Sequence, residues 1–211
     1  MMYRPFAYAI DDPAVLRAAM RKLSFATIAA AVRGRVQFAY APIVVDRQPS
    51  PRGGARFHLS RANPFAELNG EEVRISLVGP NAYVSPDWYE TQRLVPTWNY
   101  VAVEGTGRAR RLDDGELLQM LIDLSKEQEE RLLPKSPWTI EKIPGDRITA
   151  LLRGIRGFSV AFDTLEGKFK LSQDKASQDV AGVIAGLESR GDGESRAVAA
   201  AMRSNGRVTG P

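Results

Sequence analysis

The segment that most restricts the fold is a pair of apolar runs hinged on one glycine. Ser24-Phe25-Ala26-Thr27-Ile28-Ala29-Ala30-Ala31-Val32 is followed by Arg33-Gly34-Arg35 and then by Val36-Gln37-Phe38-Ala39-Tyr40-Ala41-Pro42-Ile43-Val44-Val45. Two long β-prone runs joined by a tight glycine turn fold back on each other as an antiparallel hairpin. Pro42 has no N–H to offer a neighbour, so the second strand is expected to lie at an edge or to bulge there. No strand–helix–strand rhythm and no Gly-x-Gly-x-x-Gly is found, which argues against a dinucleotide-binding parallel sheet.

The remaining runs extend this pattern. Asp46 to Gly54 reads as a loop or hairpin tip. Arg56 to Ser60 is expected as a third strand, and Asn63-Pro64 opens a short helix to Leu68 that ends at Asn69-Gly70. Val73 to Val78 reads as a strand stopped by Gly79-Pro80, with a separate short strand at Tyr83 to Ser85. Thr97 to Arg111 reads as one long strand in which Gly105 and Gly107 permit a bend. Ile155 to Leu171 holds the last strands, with a turn expected at Leu165-Glu166-Gly167-Lys168.

Helical spacing occurs between these runs rather than in alternation with them. Asp11 or Asp12 can cap a helix with Pro13 in its first turn and Val15, Leu16, Ala19 and Leu23 as its apolar stripe. Leu117, Leu118, Leu121, Ile122 and Leu124 predict a helix over Asp113 to Leu133. A shorter one is predicted over Arg147 to Leu152. Ala176 to Met202 is helical in pattern, broken by Gly191-Asp192-Gly193, and Ser204 to Pro211 reads as a frayed tail. Six or so strands with tight turns and inserted helices predict a mainly β fold with α additions, an antiparallel barrel. Residues 1–175 are expected to form the barrel domain, and 176–211 a C-terminal helical extension and tail.

Bulk properties exclude several classes of chemistry. The chain has 211 residues, 44% apolar and 26% charged, and no cysteine. Disulfides, thiolate nucleophiles and Cys-based zinc or iron–sulfur sites are therefore out, and a reducing cytoplasm is the expected setting. The N-terminus lacks a signal-peptide pattern, and no run approaches the roughly 20 apolar residues of a membrane helix. The net charge of +4 mildly favours an anionic partner. Its cations are scattered, so DNA is only weakly supported as a partner.

Candidate site residues fall at strand ends. Ser60-Arg61 followed by Asn63-Pro64 brings a hydroxyl, a guanidinium and free backbone N–H groups together, the donors a phosphate monoester needs. A plain surface strand end with a helix cap would use the same residues. His58 shares a strand face with Ser60. As the only histidine, in a chain without cysteine, it cannot build a three-His or HExxH centre, so no metal is expected. No Gly-x-Ser-x-Gly elbow supports a serine hydrolase, and no catalytic residue is assigned. Tyr83, Trp88, Tyr89, Trp98 and Tyr100 read as core or subunit interface. Interleaved with Ser85, Thr97 and Asn99, they could also wall a flat heteroaromatic ligand. Lys170-Leu171-Ser172-Gln173 is a second polar strand end with a cation.

The runs HLSRANP (from His58), GPNAYVSPDWY, VPTWNYVAVEGTG and KLSQDK, with the opening Met2-Tyr3-Arg4-Pro5-Phe6, resemble the PaiB-like, FMN-binding family named as negative transcriptional regulators. The likeness extends to about Leu187. The resemblance implies a six-stranded antiparallel split β-barrel of the FMN-binding type, forming a homodimer with one flavin nucleotide in each of two clefts between subunits. It places Ser60 and Arg61 on the FMN phosphate with His58 nearby, and Thr27, Ile28, Ala41, Pro42 and Ile43 along the flavin ring. Trp98 and Asn99 would belong to the dimer-facing wall, and Lys170, Ser172 and Gln173 would close the site. Related split-barrel enzymes carry a further Lys after the Ser-Arg pair, where Ala62 stands here. A repressor role is implied by the family; the alternative is an NAD(P)H-linked flavin reductase or oxidase acting on a small molecule.

Overall fold

A computed structural model describes residues 2–47 and 50–205. The elements are β1 (Ala9–Ile10), α1 (Pro13–Leu23), β2 (Phe25–Val32), β3 (Arg35–Pro42), β4 (Val44–Asp46), β5 (Gly54–Ser60), β6 (Glu72–Val84) and β7 (Thr97–Arg111). They continue with α2 (Asp114–Glu130), α3 (Gly145–Leu152), β8 (Ile155–Ala161), β9 (Thr164–Lys170), α4 (Ser177–Arg190) and α5 (Gly193–Asn205). The chain divides into two units: residues 12–77 with 104–165, and residues 1–11 with 78–103 and 166–211.

In the larger unit the strands follow the order β3-β2-β6-β7-β8-β5-β4, and the path does not close. The hairpin forms as expected. Arg33 (φ 52°) and Gly34 (φ 74°) both occupy the left-handed region, the turn geometry that matches strand twist. Pairing then runs from Val32 with Arg35 to Phe25 with Pro42, where β3 ends. Ile28 pairs with Ile75 across β2 and β6, and Phe57 pairs with Phe158 across β5 and β8; all four are fully buried. The two phenylalanine rings lie 5.5 Å apart.

Helices cover this antiparallel sheet where their ends are capped. Asp12 accepts from the Ala14 N–H at 2.7 Å, and α1 buries Leu16 and Met20. Asp113 and Glu116 form a reciprocal capping box at the start of α2, whose Leu117 and Met120 pack with Val44 and Leu112. The α2 helix ends at Glu130 rather than Leu133, and the chain continues into a turn before Pro134. After Asn63 only a single 3-10 turn forms, Pro64–Ala66, in place of a helix to Leu68.

Two turns expected from local composition are absent. Gly79-Pro80 lies inside β6, which runs unbroken to Val84. The pairing of β2 with β6 covers only Val73–Ser76, so beyond it one edge of β6 needs no N–H donor and proline is tolerated. The turn between the last strands falls at Phe162-Asp163, and Leu165–Lys168 belong to β9. Phe162 is buried, its ring 2.5 Å from where a Cβ on Gly105 would stand, so this apolar residue sits in the turn because the core takes its side chain.

In the smaller unit β9 pairs with β1 and β7. Helices α4 and α5 bury Val183, Leu187, Val198 and Met202 against Ala82, Val84 and Val101. Gly182 and Gly186 let α4 approach Trp88, since a Cβ at 182 would stand 2.1 Å from the Trp88 carbonyl oxygen. Asp179 is buried and accepts from the Glu90 and Thr91 N–H groups, each at 2.9 Å, and from the Thr91 hydroxyl. Ser204 and Asn205 complete α5; the rest of the expected tail, 206–211, lies outside the described residues. Among the described residues no helix is long and apolar enough to cross a membrane.

Candidate functional site

The pleat of β5 sorts its residues by face. Phe57 and Leu59 enter the core, while Arg56, His58 and Ser60 point to the opposite side. The strand ends where the Arg61 N–H donates to the Gly154 carbonyl at 2.8 Å and the chain turns, the Asn63 N–H reaching the Ser60 carbonyl at 3.0 Å. The Asn63 side chain caps the 3-10 turn by accepting from the Phe65 N–H at 2.9 Å. The Ser60 hydroxyl oxygen accepts from the Ala62 N–H at 3.3 Å, which leaves its own proton to donate outward.

Three guanidiniums belong to β5, its end and the neighbouring β8, and their partners separate them. Arg56 is clamped by Asp46 at 2.7 and 2.8 Å and by Asp123 at 2.9 Å; the Asp46 hydrogen bonds, against burial, raise its pKa further. Arg156 is paired with Glu67 and donates to the Ala66 carbonyl at 3.1 Å. Arg61 is exposed, makes no ion pair among the described residues, and reaches only the Arg153 carbonyl at 3.5 Å. Its guanidinium is free to meet an anion.

His58 sits deeper. Gly157 stands directly across from it, and the Leu117 side chain comes within 2.8 Å of where a Cβ on Gly157 would be, so α2 covers this side of the sheet. The His58 Nδ1 is buried and has no hydrogen-bond partner. Burial holds the imidazole pKa below its ordinary 6.5, so the ring is neutral at pH 7. The unfolded chain takes up a proton at this residue below pH ~6.5 and the folded chain resists it. Stability is therefore intact above that pH and falls as pH drops toward the lower folded value. Because His58 is the only histidine, the melting temperature of flavin-free protein is expected to fall between pH 7.5 and 5.5. His58→Gln should remove that slope, and an unchanged slope would contradict the burial reading.

The other expected residues divide between the units. Thr27 and Pro42 lie on the outer face of the hairpin, whereas Ile28, Ala41 and Ile43 point into the core. In the smaller unit Asn99 is fully buried and donates to the Ser172 hydroxyl at 2.9 Å. Lys170 donates to the Thr97 hydroxyl and, at 3.1 Å, to the Trp98 carbonyl. Gln173 is turned back on its own strand, accepting from the Leu171 N–H at 2.8 Å and donating to the Phe169 carbonyl at 2.6 Å. Trp98 is half exposed, edge-on to Tyr83, with Nε1 donating to Asn81 at 3.1 Å.

Sequence reading missed Arg153 and Gly154, which reach Arg61 through the β5–β8 pairing, a contact between residues some ninety positions apart. It singled out Tyr89 but missed Tyr8, Asp174 and Lys175, which gather with it around Asn99, Lys170 and Ser172. Only the charged pair next to KLSQ hinted at them.

A family model described as "Putative FMN-binding domain" matches residues 2–164. An uncharacterized protein of Emericella nidulans is 30% identical over 210 residues, covering 82% of this chain and 83% of its own. The protease synthase and sporulation protein PAI 2 of Bacillus subtilis is 27% identical, covering 95% of this chain and 96% of its own. Among solved structures, the FAD and heme binding protein from Mycobacterium smegmatis superposes with a TM-score of 0.57 at 16% identity, covering 82% of this chain and 79% of that one. That likeness concerns the fold alone.

Proposed function

We propose, because this chain belongs to the FMN-binding domain family, that the FMN phosphate is held at the end of β5 by the Ser60 hydroxyl and the Arg61 guanidinium. The donor set suits that group. Ser60 has a proton to give, Arg61 can present two parallel N–H groups to phosphate oxygens, and no carboxylate competes for it among the described residues. The observation that carries the reading is the strand end itself: where β5 turns, the Ser60 hydroxyl has a proton to give and the next residue is an exposed guanidinium with no ion pair among the described residues. His58, on the same strand face, lies two residues deeper beneath α2, with its Nδ1 buried and unpartnered. Bound FMN supplies hydride and one-electron chemistry, and the protein's part is to orient it and tune its surroundings.

The outer face of the hairpin supports a split-barrel homodimer. Val36, Phe38 and Tyr40 of edge strand β3 and Phe25 of β2 are 60–70% exposed on one side of the sheet. Opposite them in β2 stand the small residues Ala31, Ala29 and Thr27. Large apolar side chains beside a small-residue floor make a self-complementary surface for a second copy.

The biological role is read as negative control of gene expression of the PaiB type, exerted through the flavin rather than through a DNA-reading helix. The cations of α4 and α5 support this: Arg190 pairs with Asp192 at 3.3 Å, Arg203 pairs with Glu188, and Arg196 donates to the Gly191 carbonyl. Only Arg196 is without an ion pair among the described residues, and one cation is too few for a DNA-reading helix. The test is the absorption spectrum of the protein as purified. A flavin spectrum, with FMN identified in the supernatant after denaturation, is expected. Colourless protein that ignores added FMN would contradict the reading.

A further inference from the structure

A polar cavity lies wholly within the smaller unit. Its volume is about 160 Å³, and Tyr8, Tyr89, Val95, Thr97, Lys170 and Lys175 form much of its wall. Lys170 is its chemical centre. Its ammonium is met only by neutral oxygens, the Thr97 hydroxyl and the Trp98 carbonyl, and it makes no ion pair among the described residues. Burial holds its pKa below the usual 10.5; the Lys168 and Lys175 charges push the same way, and Asp174 alone opposes them.

The neighbours are already committed in a way that leaves this cation open. Asp174 is bound to Lys175 at 2.9 Å and lies beside Tyr8 in the same wall, so its charge is already engaged. Burial raises the pKa of Tyr8 and of Tyr89, so both remain protonated and able to donate. Two lysines against one aspartate leave one net positive charge in the wall. Leu94 and Val95 supply an apolar side. The volume is about half the ~300 Å³ at which pockets for drug-sized ligands begin, so the occupant is small.

We infer that this cavity binds a small organic monocarboxylate, with the carboxylate on the Lys170 ammonium and the apolar body against Leu94 and Val95. One net charge matches a monoanion better than a phosphate dianion, and the apolar wall favours a ligand with a hydrocarbon part. Nothing in this assignment requires the flavin.

The probes are benzoate, its uncharged analogue benzyl alcohol, and inorganic phosphate, titrated calorimetrically into the full chain as purified. Benzoate is expected to bind saturably, at least tenfold more tightly than either of the others. Lys170→Met should weaken benzoate at least tenfold, and Asp174→Asn, which removes the competing carboxylate, should tighten it. Equal binding of benzyl alcohol, preference for phosphate, or benzoate affinity undiminished in Lys170→Met would each overturn the inference. Flavin content is read in the same samples. If Lys170→Met loses flavin and benzoate together, the cavity is part of the flavin site and a separate carboxylate pocket is ruled out. Should Lys170→Met fail to fold, the Asp174→Asn titration decides: tighter binding supports the assignment, and unchanged or weaker binding refutes it.

Discussion

Arg61→Ala is expected to purify as a folded protein nearly free of FMN. The fold has little to lose, because the Arg61 side chain is exposed and touches only the Arg153 carbonyl at 3.5 Å. Surface changes of this kind usually move stability by no more than ~0.5 kcal/mol. The ligand has much to lose. A hydrogen bond to a charged group is worth about 1.5–3 kcal/mol, and a guanidinium can make two to one phosphate. Losing both costs ~3 kcal/mol or more, roughly a hundredfold or greater drop in affinity. Ala62 adds weight to this, since no cation follows the pair to share the phosphate. The flavin-to-protein ratio, with circular dichroism as the check on folding, measures the effect. A folded variant with its full complement of FMN would show that the phosphate is held elsewhere.

Phe38→Glu is expected to convert a dimer into monomers without unfolding them. Phe38 is 60% exposed in the isolated chain, flanked by Val36 at 70% and Tyr40 at 68%, and it faces Ala29 across the hairpin. A glutamate there meets water in the monomer and costs that state little. Buried against a second copy, the same carboxylate has on its own face only Arg74, two strands away and already paired with Glu104, and a poorly compensated buried charge costs several kcal/mol. Sedimentation at micromolar concentration should show the wild type as a dimer and the variant as a monomer. A variant that still sediments as a dimer would place the interface on another face, and a monomeric wild type would remove the homodimer altogether.

The parts of the fold legible in the sequence were those with a local code. The Arg33-Gly34 hairpin turn, the acidic cap and Pro13 at the start of α1, and the unbroken run Thr97–Arg111 each depend on residues within a few positions of one another. The misread parts depended on what lay across the sheet. Gly79-Pro80 looks like a stop, yet it sits in a strand because β2 has already parted from β6. Phe162 looks like strand interior, yet it turns the chain because Gly105 leaves room for its ring.

The site divides along the same line. Ser60 and Arg61 are recognisable because hydroxyl, guanidinium and turn are adjacent in the chain. That Arg61 is unpaired while Arg56 is clamped follows only once Asp46 and Asp123 converge on Arg56. Gln173 reads as a ligand group at a strand end, but its amide hydrogen-bonds its own backbone. Lys170 shares its cavity with Tyr8 and Tyr89, which are remote in sequence.

Comparing FMN with riboflavin tests the phosphate grip most directly, because the two ligands share the ring and ribityl chain and differ only in the phosphate. Equilibrium titration of flavin-free wild type should show FMN binding roughly a hundredfold or more tightly than riboflavin, with most of that preference gone in Arg61→Ala. Equal affinity for the two ligands in the wild type, or a preference that survives in Arg61→Ala, would contradict a phosphate site at Ser60 and Arg61.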